Sequence, residues 1–434
     1  MKIAHLVAGA AGRYCGSCLH GNTLVTALRE AGQDAVLVPL YTPLRTDAPS
    51  AGLPRVAFGG LNVYLQQHWG PFRHMPGFLD RLFDHPRLLR WLGRLEGSTR
   101  PEQLGAMTVS MLRGEEGRQR KELRKLVHWL KHELRPEVVH LSTALVVGVA
   151  RQLRLELGVP VVCTLSGEDG FLDALPEPYR DEARRELRGR CPDVSAFVAM
   201  NRYYADFMAD YLAVGRPRIH VIPPGLNLTG YPASEEPDPS PSEASWTPPV
   251  TIGYFSRICP EKGLHLLAQA FRHLCAEPDL PPTRLRAAGY LHPSDRSYLE
   301  GIQRQMDRWG LGDRFHYAGE PDLAGKIAFL RSLDMMSVPT LSRQSKGLPI
   351  LEAWACGVPV VLPDHGAFSE MVEATDGGLL FEPSDTSALA EALASFLRDP
   401  AKARESGRRA RRFVRQHHAA ALMARRTVEL YASL

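Results

Sequence analysis

The sequence lacks any apolar run that could cross a membrane, because no stretch approaches the roughly 18 uninterrupted apolar residues of a span. It also has little excess charge, only +4 over 434 residues, so charge alone does not indicate a nucleic-acid partner. Its seven cysteines are an odd number and lie scattered along the chain, which argues against a disulfide framework. We therefore expect a protein of a reducing compartment, cytoplasmic or at the inner membrane surface.

Metal-ligand patterns are scarce as well. The 16 histidines show no ligand spacing. Cys15-Gly-Ser-Cys18 has the spacing of a zinc or redox motif, but zinc needs two further ligands at related spacing, and none follows. We favour small residues packing a tight loop here, with a redox pair at a helix start as the alternative.

Length and composition set the scale of the architecture. The chain is 44% hydrophobic and 23% charged, which is typical of a globular protein. With 434 residues it is too long for one ordinary core, and it predicts two domains of roughly 200 residues each.

In the first half, short apolar runs alternate with helical segments. The runs are 2–8, 34–40, 137–141, 159–165, 194–200 and 218–223. Buried strands that alternate with helices predict a parallel sheet covered on both faces. Residues 58–96 are rich in aromatic, leucine and basic side chains. They indicate an amphipathic helical pair on this domain, or else an acceptor platform or a membrane-surface element.

A segment rich in proline, serine and acidic residues then interrupts the pattern. This segment, "YPASEEPDPSPSEASWTPP" at 231–249, cannot form a core and predicts a linker. The strand pattern restarts at 250–256, 285–290, 314–319, 335–339, 359–363 and 377–383. We therefore predict an α/β protein of two Rossmann-like doubly wound domains, 1–230 and 250–414, facing a cleft. A final helical segment, 415–434, is expected to pack back on the first domain.

One strand-to-helix connection in the second domain has the chemistry of a ligand site. In "LSRQSKGLPILEAWACGVPVVLPDHG" (341–366), Gly347 lets the backbone approach a ligand, and Pro349 suits the first turn of a helix. The N–H groups of Gly347 and Leu348 would face an anion such as phosphate. Glu352, one turn further, suits a ribose diol. The alternative is an ordinary connection with a solvated glutamate.

Two basic residues strengthen the first interpretation. In "YFSRICPEKGLHLL" (254–267), Arg257 follows the first strand of the domain and Lys262 precedes the next helix. Cations at the carboxyl end of a parallel sheet, opposite a helix N-terminus, would neutralise a diphosphate. "DHGAFSE" (364–370) places Gly366 and a further helix start at the same sheet edge.

Together these segments resemble the donor half of the GT-B fold glycosyltransferases, specifically the large retaining family 4, the glycosyl transferases group 1. The motifs concerned are Arg257 and Lys262, "EAWACGVPVV" (352–361) and "HGAFSE" (365–370), with "VIPPGLN" (221–227) closing the first domain. The resemblance implies transfer of a sugar, with retention, from a nucleotide-diphosphate sugar to an acceptor hydroxyl. It also implies that no metal or other cofactor is needed, and no Asp-x-Asp occurs in the chain.

The resemblance also assigns residues. It implies that Arg257 and Lys262 hold the diphosphate, that Glu352 holds the ribose, and that Gly347, Leu348 and Gly366 lie near phosphate or sugar. "GAAGRYCGSC" (9–18) occupies the loop that meets donor and acceptor, with Gly12 on the donor side and Gly16 on the acceptor side. The expected acceptor is a sugar, a lipid-linked molecule or another small molecule, with a peripheral membrane contact as a further option.

Two positions depart from the family pattern. Gln344 stands where the first glutamate of the pair is usual, and Ser166 stands where many relatives have a histidine. Both groups expected beside the reacting carbon, and so assigned as catalytic, are therefore neutral and cannot stabilise a developing oxocarbenium by charge.

Polar residues after strands of the first domain complete the expected site. His140, Glu168 and Asp169 are candidates for the acceptor side, with His140 at the end of a strand. Two alternatives to transfer stay open. One is a nucleotide-sugar epimerase or hydrolase that would use Glu168, Asp169 or Glu370 as acid and base, and the other is a catalytically silent nucleotide-binding paralogue.

Overall fold

The computed structural model of the protein describes residues 1–9, 15–54, 56–58, 101–232 and 245–434, without the side chains of 101–103. Gly12, residues 59–96 of the aromatic segment and residues 233–244 of the predicted linker lie outside the described residues. The chain forms two compact units. Unit 1 is Met1–Gly225 with Ala420–Leu434, and unit 2 is Leu226–Ala419. The division thus falls at 225/226 and 419/420, whereas the sequence suggested a first domain that ends at 230, a linker at 231–249 and a second domain at 250–414.

Unit 1 contains a sheet of six parallel strands in the order β2-β1-β3-β4-β5-β6. The strands are β1 Lys2–Val7, β2 Asp34–Pro39, β3 Val138–Leu141, β4 Val161–Thr164, β5 Ala196–Ala199 and β6 Ile219–Val221. Every residue of β3, β4 and β5 is buried. Continuous burial of this kind requires cover on both faces of a sheet.

Helices supply that cover. Those of the described part of unit 1 up to Gly225 are α1 Gly16–Glu30, α2 Pro101–Leu112, α3 Arg120–Trp129, α4 Ala150–Leu157, α5 Glu168–Asp173, α6 Tyr179–Arg190 and α7 Arg202–Leu212. Asn201 begins α7, since its side-chain oxygen accepts a hydrogen bond from the Tyr204 N–H.

Unit 2 repeats the arrangement with the strand order β12-β11-β10-β7-β8-β9, again all parallel. Its strands are β7 Val250–Phe255, β8 Thr283–Ala288, β9 Phe315–Tyr317, β10 Met335–Ser337, β11 Val360–Pro363 and β12 Gly378–Phe381. Its helices are α8 Leu264–Ala276, α9 Arg296–Arg308, α10 Leu323–Arg331, α11 Leu348–Ala355, α12 Ala367–Thr375, α13 Thr386–Arg398 and α14 Pro400–His417. The predicted α/β class with two doubly wound sheets is confirmed.

The basic C-terminal stretch forms two helices. α14 ends at His417 and α15 spans Ala420–Ala432. Between them the backbone of Leu226 runs alongside Ala419 and its N–H donates to the His418 carbonyl over 2.7 Å. α14 packs against α11 in unit 2, whereas α15 packs against α1 in unit 1.

A buried histidine joins α15 to the sheet of unit 1. His140 on β3 is only 1% exposed. Its Nδ1 lies 2.5 Å from the Tyr431 hydroxyl and its Nε2 lies 2.7 Å from Thr164 Oγ1. Burial, followed by the charges of His5 and His20, lowers the pKa of His140 well below its ordinary value. The expectation that His140 contacts the acceptor is therefore corrected, because both ring nitrogens are used inside the fold.

Removing the hydroxyl of Tyr431 should loosen α15. In Tyr431→Phe, one nitrogen of the buried imidazole loses its partner, which costs about 1–3 kcal/mol. We expect amide hydrogen exchange in α15 to accelerate by about 5- to 150-fold. Leu434→Ala, at a residue that is 45% exposed, is the control and should leave that exchange unchanged. Equal protection in Tyr431→Phe and the wild type would contradict the hydrogen bond.

Candidate functional site

Three loops of unit 2 emerge from adjacent strands at one edge of the sheet. They follow the carboxyl ends of β7, β10 and β11, which are neighbours in the strand order. The chain order reverses between β7 and β10, since the strands that follow β7 directly lie on its other side. Ligands of doubly wound sheets bind outside the carboxyl ends of the strands at such a reversal.

The loops after β7 and β10 are pressed together. Gly263 has φ +75°, and a Cβ there would lie 1.9 Å from the Pro339 carbonyl oxygen. The Glu261 carbonyl accepts hydrogen bonds from the Leu341 N–H and the Thr340 hydroxyl, both over 2.9 Å. The backbone positions of both loops are thereby fixed against each other.

The loop after β11 meets the same segment. Gly366 has φ +65°, and a Cβ there would lie 2.7 Å from the backbone nitrogen of Gln344. The backbone carbonyl of Gln344 accepts a hydrogen bond from the Ala367 N–H over 2.8 Å. His365 Nε2 lies 3.0 Å from the Thr340 carbonyl oxygen. All three loops therefore converge on the segment that carries Gln344.

The Gln344 side chain is held by polar contacts at both ends of its amide. Its oxygen accepts a hydrogen bond from Lys262 Nζ over 2.5 Å. Its nitrogen donates to the Ser342 carbonyl over 2.8 Å and to Thr340 Oγ1 over 3.1 Å. An ammonium can only donate, so the amide oxygen must face Lys262. Gln344 thus fixes the direction in which this cation points.

Positive charge is concentrated beside this amide. Burial, and then the charge of Arg257, lowers the pKa of Lys262 to about 8. The Arg257 side chain is 54% exposed, donates from Nε to Cys259 Sγ over 3.2 Å, and lies 3.8 Å from Glu261. Lys346 adds a further positive charge to the surroundings of Lys262. The structure thus brings the predicted cations to the loops that carry Gln344, Gly347 and Gly366, where an anion would be stabilised.

The predicted helix start and its glutamate are also in place. Gly347 immediately precedes α11, and Leu348 is its first residue. Glu352 lies one turn further and is 8% exposed. Its carboxylate forms an ion pair with Lys326 of α10, itself 5% exposed. Solvation, the alternative interpretation for Glu352, is therefore excluded.

Lys326 is a residue that sequence reasoning missed. It lies in α10 beside Ile327, on a face that also buries Phe329 and Leu330. A lysine within an apolar stripe of helical spacing indicates a buried charge, and a buried charge requires a partner. The identity of that partner could not be read from the sequence.

In unit 1, Glu168 organises the loop after β4. Its carboxylate is 1% exposed and accepts hydrogen bonds from Thr143 Oγ1 over 2.7 Å, the Ala144 N–H over 2.9 Å and the Ser166 N–H over 2.7 Å. It also accepts from the Ser166 hydroxyl over 3.0 Å, and the Tyr204 hydroxyl oxygen lies 3.3 Å away. The expectation of an acceptor-side or acid–base role for Glu168 is corrected, because these contacts occupy its carboxylate inside the fold.

The neighbours of Glu168 remain nearer the surface. Ser166 is half-buried, and its Oγ accepts a hydrogen bond from Ser17 Oγ over 3.2 Å. Asp169 is also half-buried and accepts from the Tyr204 hydroxyl over 2.6 Å, while burial raises the pKa of its carboxyl. Gly16 is the first residue of α1 and adjoins Ser17, so the hydrogen bond between Ser17 and Ser166 brings the start of α1 next to the loop that carries Ser166.

The cysteine pair lies at the same helix start. Cys15 precedes α1, and Cys18 is 1% exposed within its first turn. Among the residues that the structure describes, no group of three or more His, Cys, Asp or Glu side chains could hold a metal ion. None of the described helices combines the length and apolar character that a membrane crossing requires.

Comparison with known proteins first defines the fold class. HepE from Anabaena, solved in complex with UDP, superposes with a TM-score of 0.67 at 18% identity, over 100% of both chains. Sucrose-phosphate synthase from Thermosynechococcus elongatus gives a TM-score of 0.69 at 19% identity, over 100% of this chain and 99% of the other. The protein has the GT-B fold.

Family models then define the family. Residues 240–413 match the glycosyl transferases group 1, and residues 99–229 match Glycosyltransferase Family 4. The two segments together cover more than half of the chain, and the protein belongs to the glycosyl transferases group 1.

A curated relative has a more specific name. D-inositol 3-phosphate glycosyltransferase of Segniliparus rotundus is 28% identical over 319 residues, 71% of this chain and 66% of the relative. The chain thus spans just under two thirds of that relative's length.

Proposed function

We propose that the protein transfers a sugar from a nucleotide-diphosphate sugar to an acceptor hydroxyl. The observation that carries this proposal is the convergence of three loops on Gln344, with Lys262 held by its amide and Arg257 on the adjoining loop. A diphosphate is the group that two neighbouring cations and a helix N-terminus accommodate best.

Each donor residue then has a role. Arg257 and Lys262 neutralise the diphosphate, whose charge rises as the bond to the sugar breaks. The backbone at Gly347 and Leu348 directs the N–H groups of the α11 start at the phosphate. Gly366, which has no side chain, lets the loop after β11 approach Gln344 closely. Glu352 accepts hydrogen bonds from the ribose hydroxyls.

Gln344 contributes through Lys262. Since its amide oxygen already accepts a hydrogen bond from the Lys262 ammonium, we infer that Gln344 sets the position of this phosphate-binding cation. The neutral amide also leaves the positive charge of Lys262 available to the donor, which a glutamate at this position would largely compensate.

The names of similar proteins support the chemistry of donor and acceptor. HepE was solved with UDP, and the Segniliparus relative is named for glycosyl transfer to an inositol phosphate. Phosphatidyl-myo-inositol mannosyltransferase of Mycobacterium leprae is 38% identical over 97 residues, 22% of this chain and 26% of the relative. We propose a polyhydroxylated acceptor, either a sugar-like small molecule or the head group of a lipid, and transfer with retention and without a metal.

A nucleotide screen tests the proposal. UDP, GDP, ADP and their sugars are each added to the protein, and the shift of its melting temperature is recorded. A hit is then incubated with cell-extract acceptors, with and without EDTA, and the anomeric configuration of the product is read by NMR. We expect stabilisation by one diphosphate and EDTA-resistant formation of a retained glycoside. A melting temperature that no nucleotide changes would overturn the proposal.

The same screen separates the alternatives. Stabilisation by nucleotide without turnover would indicate a silent nucleotide-binding paralogue, which the neutral Gln344 favours. An isomerised nucleotide sugar or free sugar as the product would indicate an epimerase or hydrolase. The use of Glu168 inside the fold argues against this last alternative.

A further inference from the structure

The ion pair between Lys326 and Glu352 joins α10 to α11, and Glu352 is the residue proposed to bind the ribose. The two side chains are 6% and 11% exposed, and Lys326 Nζ donates to Glu352 Oε1. The Glu352 side chain therefore retains the larger exposed fraction of the two.

Burying the two charges of this ion pair costs free energy, so the pair calls for an explanation other than stability. Two charges removed from water often stabilise a fold no better than apolar side chains of similar size would. Position 326 lies next to Ile327 and close to Phe329 and Leu330, all buried, so an apolar side chain would suit the same face. The lysine is thus explained better by what it does to Glu352 than by the stability of unit 2.

Lys326 supplies the carboxylate with an opposite charge and with a hydrogen-bond donor at one of its oxygens. A cation at one oxygen keeps a buried carboxylate ionised and oriented. An ionised carboxylate offers about four acceptor positions, so it can accept from several donors at once. A ribose diol needs an ionised, oriented acceptor, because both of its hydroxyls must donate.

We propose that Lys326 is a positioning residue for nucleotide recognition, which acts by holding Glu352 ionised and directed at the ribose hydroxyls. This inference rests on the proposed function, in which Glu352 binds the ribose. It predicts that Lys326 affects only the part of the binding energy that depends on the ribose hydroxyls.

Nucleotides with and without those hydroxyls test the inference. UDP, GDP and ADP are compared with their 2′,3′-dideoxy counterparts by titration calorimetry, on the wild type, Lys326→Met and Lys326→Arg. Lys326→Met should weaken binding of the preferred ribonucleotide by about tenfold and leave binding of its dideoxy form unchanged. Lys326→Arg should restore the preference, because it keeps the charge.

A double-substitution cycle protects the test against loss of folding. In a Glu352→Gln background, Lys326→Met leaves no uncompensated carboxylate, and it should cause no further loss of ribonucleotide affinity. An additional loss there would overturn the inference, as would equal weakening of both nucleotides by Lys326→Met alone.

Failure of the inference and failure of the proposed function give different results. A wild type that prefers the ribonucleotide, with the same preference in Lys326→Met, would overturn the role of Lys326 alone. A wild type that binds both forms equally would overturn the ribose assignment of Glu352 and the inference with it. A wild type that binds none of UDP, GDP and ADP would overturn the proposed function as well.

Discussion

Gly263→Ala should destabilise unit 2 by about 3 kcal/mol or more and abolish nucleotide binding. The φ of +75° costs any side chain free energy, and a Cβ would lie 1.9 Å from the Pro339 carbonyl oxygen and 2.7 Å from its carbon. Backbone cannot yield as a side chain can, so the β7 and β10 loops must separate. That separation would move Lys262 away from Gln344. Urea unfolding measures the loss of stability, and the melting-temperature shift with nucleotide measures the loss of binding.

Two other glycines of unit 2 serve as controls. Gly310 has φ +70°, and no atom lies within 4 Å of the position that an added methyl group would take, so Gly310→Ala should show the backbone cost alone, about 1 kcal/mol. Gly301 lies inside α9 with open space around it, and Gly301→Ala should stabilise by about 0.5–1 kcal/mol. Gly263→Ala no more costly than Gly310→Ala would contradict the contact between the loops.

The strands of this fold were readable from the sequence because burial on both faces leaves continuous apolar runs. Each of the twelve predicted runs overlaps a strand. Their ends were less predictable, since hydrogen bonding and hydrophobicity do not stop at the same residue. Leu165 is buried but follows the end of β4, whereas the Thr283 and Arg284 positions of β8 pair with Val250 and Thr251 of β7.

Side-chain partners were the harder part of the site. The position of a residue after a strand predicts the sheet edge on which it lies, and this placed Arg257, Lys262 and Gly366 on converging loops. It does not give the direction of the side chain. His140 and Glu168 both follow this logic in sequence, yet one bonds Tyr431 and the other binds loop N–H groups inside the fold.

The contact between Lys262 and Gln344 is a second case in which the partner of a side chain could not be predicted from the sequence. The residues lie 82 positions apart, and the resemblance assigned one to phosphate and the other to sugar. Their contact depends on the packing of Gly263 against Pro339 and of Gly366 against Gln344. The hydrogen bond from Lys262 to the Gln344 amide is therefore seen only in the folded structure.

Lys262→Met should weaken nucleoside diphosphate binding by roughly 1.5–3 kcal/mol, or about 10- to 150-fold. It removes a charge-assisted contact to phosphate from a site whose geometry is otherwise kept, because methionine is similar in length. Calorimetric titration with UDP, GDP or ADP, whichever stabilises the wild type, measures the loss. Lys402→Met, at an exposed lysine of α14, is the matched control and should bind as the wild type does.

The pKa of Lys262, lowered to about 8 by burial, predicts a specific pH dependence. Below pH 8 the ammonium is charged and binds diphosphate, so affinity should fall as the pH rises through about 8. Stability of the nucleotide-free protein should change in the opposite direction. Between pH values of about 8 and 10.5, the folded and the ordinary pKa of Lys262, this lysine keeps its proton in the unfolded chain and has lost it in the folded chain. Stability therefore rises with pH in this range. Lys262→Arg keeps its charge throughout and should bind with no break near pH 8, whereas a break that persists in this variant would assign the titration to another group.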